Sequence, residues 1–565
     1  MKRNTLLSLL IAALVLLEFS SRAGAAKAKS WYVDSLIKVF PSDAAESHRL
    51  ANPELLAARG QHVSVQLEIR SKQPLVGVVA EIEPLKNAQG ETLGGESVRP
   101  EGYVVVASHT RNTPDDDRIG EAPALFPDPL LDFPVNIPAN RTQSLWIGVA
   151  VPADAKPGEY RGAVLVRAGN QKLARHEFAV KVLAATVPSE RTLKVTNWFS
   201  FNDKVSQHFF GIRQFTPEWW ELIGNIAQVM AAHRQNMVLT PLMSLIQPRV
   251  EGDHIAYDFA NFDRWVQTFQ KAGVIGYIEG SHLLERGAGY DGGMTVANTF
   301  QIESGKIVER TLPADDARVS AFFSGFLTAL NRHLEENGWK SIYYQHIMDE
   351  AHGTEPPYYA RVGELVHRYL PGVPTMDAVD AKQVPDELQK NCDVWVPQLG
   401  RFDDQMDLMS HRMASGHPVW FYTCMVPTGR YMTRQLDAPL LKVRLLHWLN
   451  FRYGLTGYLH WGWNEWTPDP MIDTQPIIGS VTILPPGDAF IVYPDRVRKS
   501  VYSSIRLETM TEGIEDYEML QALKARDPVE ADRLGKEAVA GFTDYVRDPS
   551  QFRSIEKQLL EDLAK

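Results

Sequence analysis

A chain of 565 residues, 44% hydrophobic and 22% charged, has ample material for a buried core and is not a disordered or low-complexity polypeptide. Its formal charge of −11 argues against a nucleic-acid or anionic-membrane partner. The only cysteines, Cys392 and Cys424, read as small hydrophobes rather than a disulfide framework.

The first segment carries targeting chemistry. Lys2 and Arg3 precede an apolar run, Leu6–Leu17, and the small residues Ala23, Gly24 and Ala25 follow it. This pattern predicts a signal peptide over residues 1–25, cleaved before Ala26, and a secreted or periplasmic destination. The run is too short for the roughly 20 residues that span a bilayer, so no membrane insertion is expected after cleavage.

Residues 26–188 read as an antiparallel β-sandwich. Val63-Ser64-Val65-Gln66-Leu67-Glu68-Ile69 alternates with period two, and Ser144–Val151, Tyr160–Val166 and His176–Val182 repeat the pattern between turn residues such as Pro157-Gly158. From residue 189 to 502, apolar strands alternate with amphipathic helices, which predicts a (β/α)₈ TIM barrel. The strands are Leu193–Phe199, Met237–Leu242, Val274–Ile278, Ile342–Met348, Pro374–Ala378, Val394–Leu399, Val419–Cys424 and Gly457–Trp461. Thr216-Pro217 starts one helix, and Gly273, Gly338 and Gly454 stop others. Residues 503–565 read as C-terminal helices packed on the barrel. Two long segments, 283–318 and 464–495, follow the third and eighth strands and are expected to border one cleft.

Barrel enzymes carry their chemistry at the C-terminal ends of the strands. Read in order, those ends supply Trp198, Glu279 to His282, Asp349-Glu350, Asp377, Gln398, Tyr422 and the run Trp461 to Trp466. Asp349-Glu350 is the sharpest signal, because two carboxylates closing an apolar strand are costly unless they are paired or working. They are the expected catalytic pair, with Trp198, His282, Asp377, Gln398, Tyr422, Trp461, Trp463 and Asn464 as substrate-binding residues. Strand neighbours point to opposite faces and do not straddle a glycosidic bond, as standard pairs about 5–9.5 Å apart do. An adjacent pair suits substrate-assisted hydrolysis. In that reaction a 2-acetamido oxygen attacks its own anomeric carbon, one carboxylate steadies the acetamido nitrogen and the other acts as acid and base.

At this point the chain resembles glycoside hydrolase family 123. The likeness rests on Asp349-Glu350, Val419 to Cys424, Gly487-Asp488-Ala489 with Tyr493-Pro494, Arg506 to Glu508, and the run Glu512 to Glu518. In the N-terminal part it rests on Pro127 to Leu131 and Pro157 to Gly162. The resemblance implies a retaining β-N-acetylgalactosaminidase that needs no metal or cofactor, with Asp349 as acetamido stabiliser and Glu350 as acid/base. Ala489 and Asp495 stand where the family pattern has glycines. Two other readings stay open: a barrel glycosidase for a sugar lacking the acetamido group, and a non-catalytic glycan-binding protein.

Several signals are set aside. Asp349-Glu350-Ala351-His352 spells a helicase box, but no phosphate-binding loop accompanies it. His346, Asp349, Glu350 and His352 match no helical zinc spacing. The run Glu512 to Glu518 reads as a helix under the barrel whose carboxylates bond buried backbone or arginine, and His233 to Asn236 as structural.

Overall fold

A computed structural model describes residues 28–51, 53–289, 292–478 and 482–565. The expected signal peptide lies outside the described residues.

The N-terminal part is two five-stranded sheets packed face to face. One runs in the order Ala28–Asp34, His62–Ser71, Thr142–Ala150, Glu96–Val106, Ala124–Leu130. The other runs Glu54–Arg59, Gln171–Thr186, Gly158–Ala168, Leu75–Lys86, Val135–Ile137. Pairing is antiparallel except where Glu54–Arg59 lies parallel to Gln171–Thr186. Val63, Val65, Leu67 and Ile69 enter the core between the sheets. Their polar neighbours Ser64, Gln66 and Glu68 are buried too. The second face of that strand is therefore covered by protein rather than water, where Ser64 donates to Glu512, Glu68 accepts from Ser144 and the Gln66 amide N–H group donates to the Asp34 and Ile37 carbonyls.

Eight short parallel strands follow, each close to its expected position: Lys194–Asn197, Met237–Thr240, Tyr277–Gly280, Tyr343–Gln345, Met376–Val379, Val394–Pro397, Phe421–Tyr422 and Gly457–His460. Continuous pairing occurs in three groups rather than one uninterrupted sheet. The eighth strand lies between the first and seventh, the third between the second and fourth, and the fifth pairs with the sixth. Isolated parallel bridges link Gln345 to Thr375, Trp395 to Val419 and Gln398 to Tyr422. Asn236 ties the second strand to the first, its backbone N–H donating to the Val195 carbonyl at 3.3 Å and its side-chain oxygen accepting from the Val195 N–H at 2.8 Å.

The connecting helices obey their end signals. Thr216 caps Pro217–Ala232, while Gly273 and Gly454 close Ala260–Ala272 and Leu440–Tyr453 in left-handed conformations. Segment 283–318 is not an irregular loop but an antiparallel ribbon of Glu285–Arg286, Thr295–Glu303 and Lys306–Pro313. Three further helices, Ile505–Arg526, Pro528–Ala538 and Pro549–Ala564, end the chain. The first is buried on nearly every side, which places the acid-rich run Glu512 to Glu518 inside the protein. Among the described residues no helix is long and apolar enough to cross a membrane.

Candidate active site

The C-terminal ends of the first, third, fourth and fifth parallel strands build one buried polar chain. Glu279 accepts from the Trp198 indole N–H at 2.6 Å and from the Thr196 hydroxyl. Its Oε1 also lies 2.7 Å from His346 Nε2, and His346 Nδ1 lies 2.9 Å from Asp377 Oδ1. Asp377 Oδ2 accepts from the Ile347 backbone N–H at 2.9 Å and the Tyr359 hydroxyl at 2.7 Å. Burial alone lowers an imidazole pKa, but the two carboxylate hydrogen bonds and charges outweigh it and push His346 up to about 10. The chain is thus an imidazolium held between two carboxylates. His282 lies against it, 3.5 Å from Asp377, with the Trp198 ring edge-on to His282 and His346.

Asp349 and Glu350 lie beyond the end of the fourth strand, in a turn. Glu350 has φ +46°, a left-handed conformation that a non-glycine residue reaches only at a cost. The expectation that strand alternation sends the two side chains to opposite faces therefore fails, because the strand has already ended. Tyr422, at the end of the seventh strand, donates its hydroxyl proton to the Glu350 carboxylate. Burial, then the charges of Glu350 and Asp377, push Asp349 up to about 7, against the pull of Arg286 and His346.

Arg286 and Glu355 were not expected at this site. The Arg286 guanidinium donates to both Glu355 oxygens, at 2.7 and 2.8 Å, and to the backbone carbonyls of Asp349 and Glu350, at 3.1 and 3.0 Å. No local pattern joins an arginine in a glycine-rich insertion to an acid after the fourth strand, so neither stood out in sequence. Glu279 was visible as a strand end, and His346 only as a possible metal ligand.

Of the expected binding residues, Tyr422 bonds Glu350, Asp377 lies behind Asp349, and Trp198 and His282 pack on the His346 ring of the same buried chain. Trp461 is partly exposed at the end of the eighth strand, its indole N–H on Asp488 at 3.2 Å. Burial pushes Asp488 up to about 7. The seventh and eighth strands pair in parallel, which puts Trp461 at the same end of the strands as Tyr422. The side chains of three others hold local structure. Gln398 caps the helix Leu399–Asp404, accepting from the Gly400 and Arg401 N–H groups. Trp463 is 1% exposed and packs on Phe199 and Phe201. Asn464 staples Ser200 through two hydrogen bonds. The eighth strand ends at His460, so the run from Trp461 to Trp466 lies past the strand rather than on it.

His282, His346 and Asp377 bring three possible ligand atoms within 4.8 Å of one another. Both His346 nitrogens already bond carboxylates, and a protonated imidazole has no lone pair for a metal. The donor set suits an ion-pair relay. A cavity of about 440 Å³ between the sandwich and the neighbouring helices, lined by His62, Arg99, His233, Arg498 and Glu508, shares no residue with this site.

The catalytic-domain model of glycoside hydrolase 123 matches residues 201–523, and the N-terminal-domain model of glycoside hydrolase 123 matches residues 42–168. Among solved structures, a family 123 glycoside hydrolase from Clostridium perfringens, studied for glycolipid glycan hydrolysis, superimposes with a TM-score of 0.72 at 19% identity. The match covers 95% of this chain and 97% of that one. A family 39 glycoside hydrolase from Bacteroides cellulosilyticus WH2 reaches a TM-score of 0.34 at 11% identity, covering 82% of each chain, too low to bear on this one. No curated protein sequence matches the chain.

Proposed function

The chain belongs to glycoside hydrolase family 123, and from that premise we propose that it cleaves a β-linked 2-acetamido sugar, a β-N-acetylgalactosaminide, with retention and with the substrate's own acetamido group as nucleophile. One observation carries the reading: the two carboxylates sit side by side in one turn, with Tyr422 on Glu350 and a second negative neighbour, Asp377, behind Asp349. A carboxylate made more basic by burial and by negative neighbours is, when ionised, a strong acceptor for the acetamido N–H, which turns acidic as the oxazolinium forms. Glu350 then protonates the leaving oxygen and later activates water.

The reading with a sugar lacking the acetamido group needs a second open carboxylate across the ring. Asp377 is the nearest candidate, acting on Asp349. Its oxygens are taken by Ile347, Tyr359 and His346, and it is fully buried. Glu279 is equally engaged. Both facts favour the substrate-assisted route.

We further read the eight strands as a closed (β/α)₈ barrel. In support, Met237, Met376, Ala378, Val394, Val396, Trp420, Tyr422 and Leu459, with Trp198, Tyr277 and Tyr344, form one apolar cluster fed by all eight strands. Export, by cleavage before Ala26, belongs to the same proposal and is checked by N-terminal sequencing of the mature protein. The substrate proposal is tested with aryl β-N-acetylgalactosaminide and N-acetylglucosaminide against aryl β-galactoside and β-glucoside. Turnover is expected only with the acetamido sugars, fastest with the galacto form. Comparable rates on sugars without the acetamido group would overturn it.

A further inference from the structure

The ribbon inserted after the third strand reaches the catalytic turn through one side chain. Arg286 sits on the strand Glu285–Arg286, and its side chain is only 6% exposed. Its Nε and Nη2 grip the two oxygens of Glu355 in a bidentate pair at 2.7 and 2.8 Å. Glu355 is itself anchored, standing at the start of the helix Pro356–Tyr369 and accepting from the His352 backbone N–H at 3.0 Å. The same Nη2 draws in the carbonyls of Asp349 and Glu350, at 3.1 and 3.0 Å. Two consecutive carbonyls meet one donor only if the backbone folds back on itself, and the left-handed Glu350 does that. A non-glycine residue held there is strained and persists only where its surroundings fix it. The ribbon is stitched to the same strand end, because the Leu283 and Leu284 N–H groups both donate to the Ile347 carbonyl.

We propose that Arg286 is a positioning residue of the reaction: with Glu355 as its anchor, it holds the Asp349–Glu350 turn in the shape that presents both carboxylates to one sugar. The inserted ribbon is then part of the active site. The inference rests on the reading of Asp349 and Glu350 as the reacting pair.

Its test uses two substitutions that separate shape from charge. Lysine keeps the charge but lacks the planar fork, so Arg286→Lys loosens the turn. Arg286→Met removes both. The groups facing Asp349 are Glu350 and Asp377, which raise its pKa, and Arg286 and His346, which lower it. On the aryl glycoside that the wild-type protein cleaves, both variants should lose kcat by about 10²-fold, the scale of a misplacement near 1 Å. Only Arg286→Met should shift the pH–rate limb governed by Asp349, upward by about one unit or more. Glu355→Gln should lose rate with the limb unmoved, and it serves if Arg286→Met does not fold. A crystal structure of Arg286→Lys reads the turn without any substrate, with a changed φ at Glu350 expected. Wild-type kcat in folded Arg286 variants, or an unchanged turn, overturns the clamp. If Glu350→Gln leaves kcat intact as well, the catalytic assignment itself fails; if Glu350→Gln is inactive while Arg286 variants are normal, the clamp alone fails.

Discussion

Glu350 and Asp349 share a turn but not an environment, and in the proposed mechanism this difference divides their work. Glu350 is held by Tyr422 at the seventh strand, whereas Asp349 faces buried Asp377 and partly exposed space. If Glu350 is the general acid, Glu350→Gln should damage substrates with poor leaving groups most, because an activated aryl group departs with little protonation. A general acid contributes about 10²–10⁴-fold, so the contrast is large. Asp349→Asn instead removes the charge that steadies the oxazolinium, so good and poor leaving groups should lose rate together. A thiazoline analogue of the cyclised sugar should inhibit the wild-type protein, because it resembles the intermediate. Equal leaving-group sensitivity in the two variants, with no thiazoline inhibition, would remove this mechanism. The dipeptide was legible in sequence because two acids ending an apolar strand need an explanation. Tyr422, Trp198, His282 and Asp377 were legible as strand ends. Gln398, Trp463 and Asn464 look the same in sequence but serve as a helix cap, a core ring and a backbone staple. Their roles depend on where each strand stops, and a periodic pattern does not mark that to the residue. Arg286 was illegible for another reason. Its partners lie more than 60 residues away, in the turn after the fourth strand and at the start of the helix that follows it.

At the scale of elements, the eight short strands announced themselves by apolar runs, and their helices by capping residues. The ribbon at 295–313 left a signal that was passed over. Ser304 and Gly305, at φ +51° and +74°, form the two-residue turn that joins paired strands. The glycines around it masked that turn as loop. A different glycine carries the packing of the C-terminal helices. Leu440–Tyr453 and Ile505–Arg526 approach so closely that a Cβ on Gly513 would stand 2.5 Å from the Arg444 carbonyl oxygen. A backbone carbonyl in a helix cannot step aside, so Gly513→Ala must separate the two helices. Overpacking of this kind costs roughly 1–3 kcal/mol, and Tm should fall by several degrees. Gly325, in the helix Ala317–Glu336, has nothing within 4 Å of its Cβ position and provides the control. Gly325→Ala should leave Tm unchanged or raise it slightly, as the unfolded chain loses freedom. Equal melting behaviour of the two variants would mean that the helix contact does not limit stability.

At the scale of the whole molecule, the sandwich and the C-terminal helices are joined by buried charge. Arg444 meets Asp516 at 2.6 and 2.9 Å, Glu556 at 2.6 Å, and Glu512. Glu512 also takes the Ser64 hydroxyl proton, Glu515 pairs with His62 at 2.6 Å, and Arg553 holds Asp34. Acids outnumber cations here, and the surplus sets how stability depends on pH. Burial pushes Glu512 up to about 7, Asp516 to about 6 and Glu68 to about 8. A carboxyl with a raised folded pKa binds more protons in the folded state than in the unfolded one. Stability therefore falls as pH rises from about 4 through those values. His62, raised to about 9 by Glu515, acts in the same direction: its contribution is complete below its ordinary pKa near 6.5 and lost as pH climbs through 9. The acid side has the opposite sign. Despite burial, Arg553 holds Asp34 below the ordinary carboxylate range, and His233 with Arg99 does the same for Glu508, so their stabilisation disappears as pH falls. Burial also drives His447 down to about 4, which costs stability as pH drops below about 6.5. The two sides predict a Tm maximum near pH 5–6 and a steady decline to pH 9, measured by calorimetry at constant ionic strength. Glu512→Gln keeps the shape and one acceptor, for Arg444, with its amide N–H turned to the Ser64 hydroxyl, but not the titration, so it should flatten the slope between pH 5 and 7 and leave the decline around His62 in place. A wild-type Tm that rises from pH 6 to 9, or a slope unaffected by Glu512→Gln, would show that the buried network does not govern how the sandwich stays joined to the catalytic part.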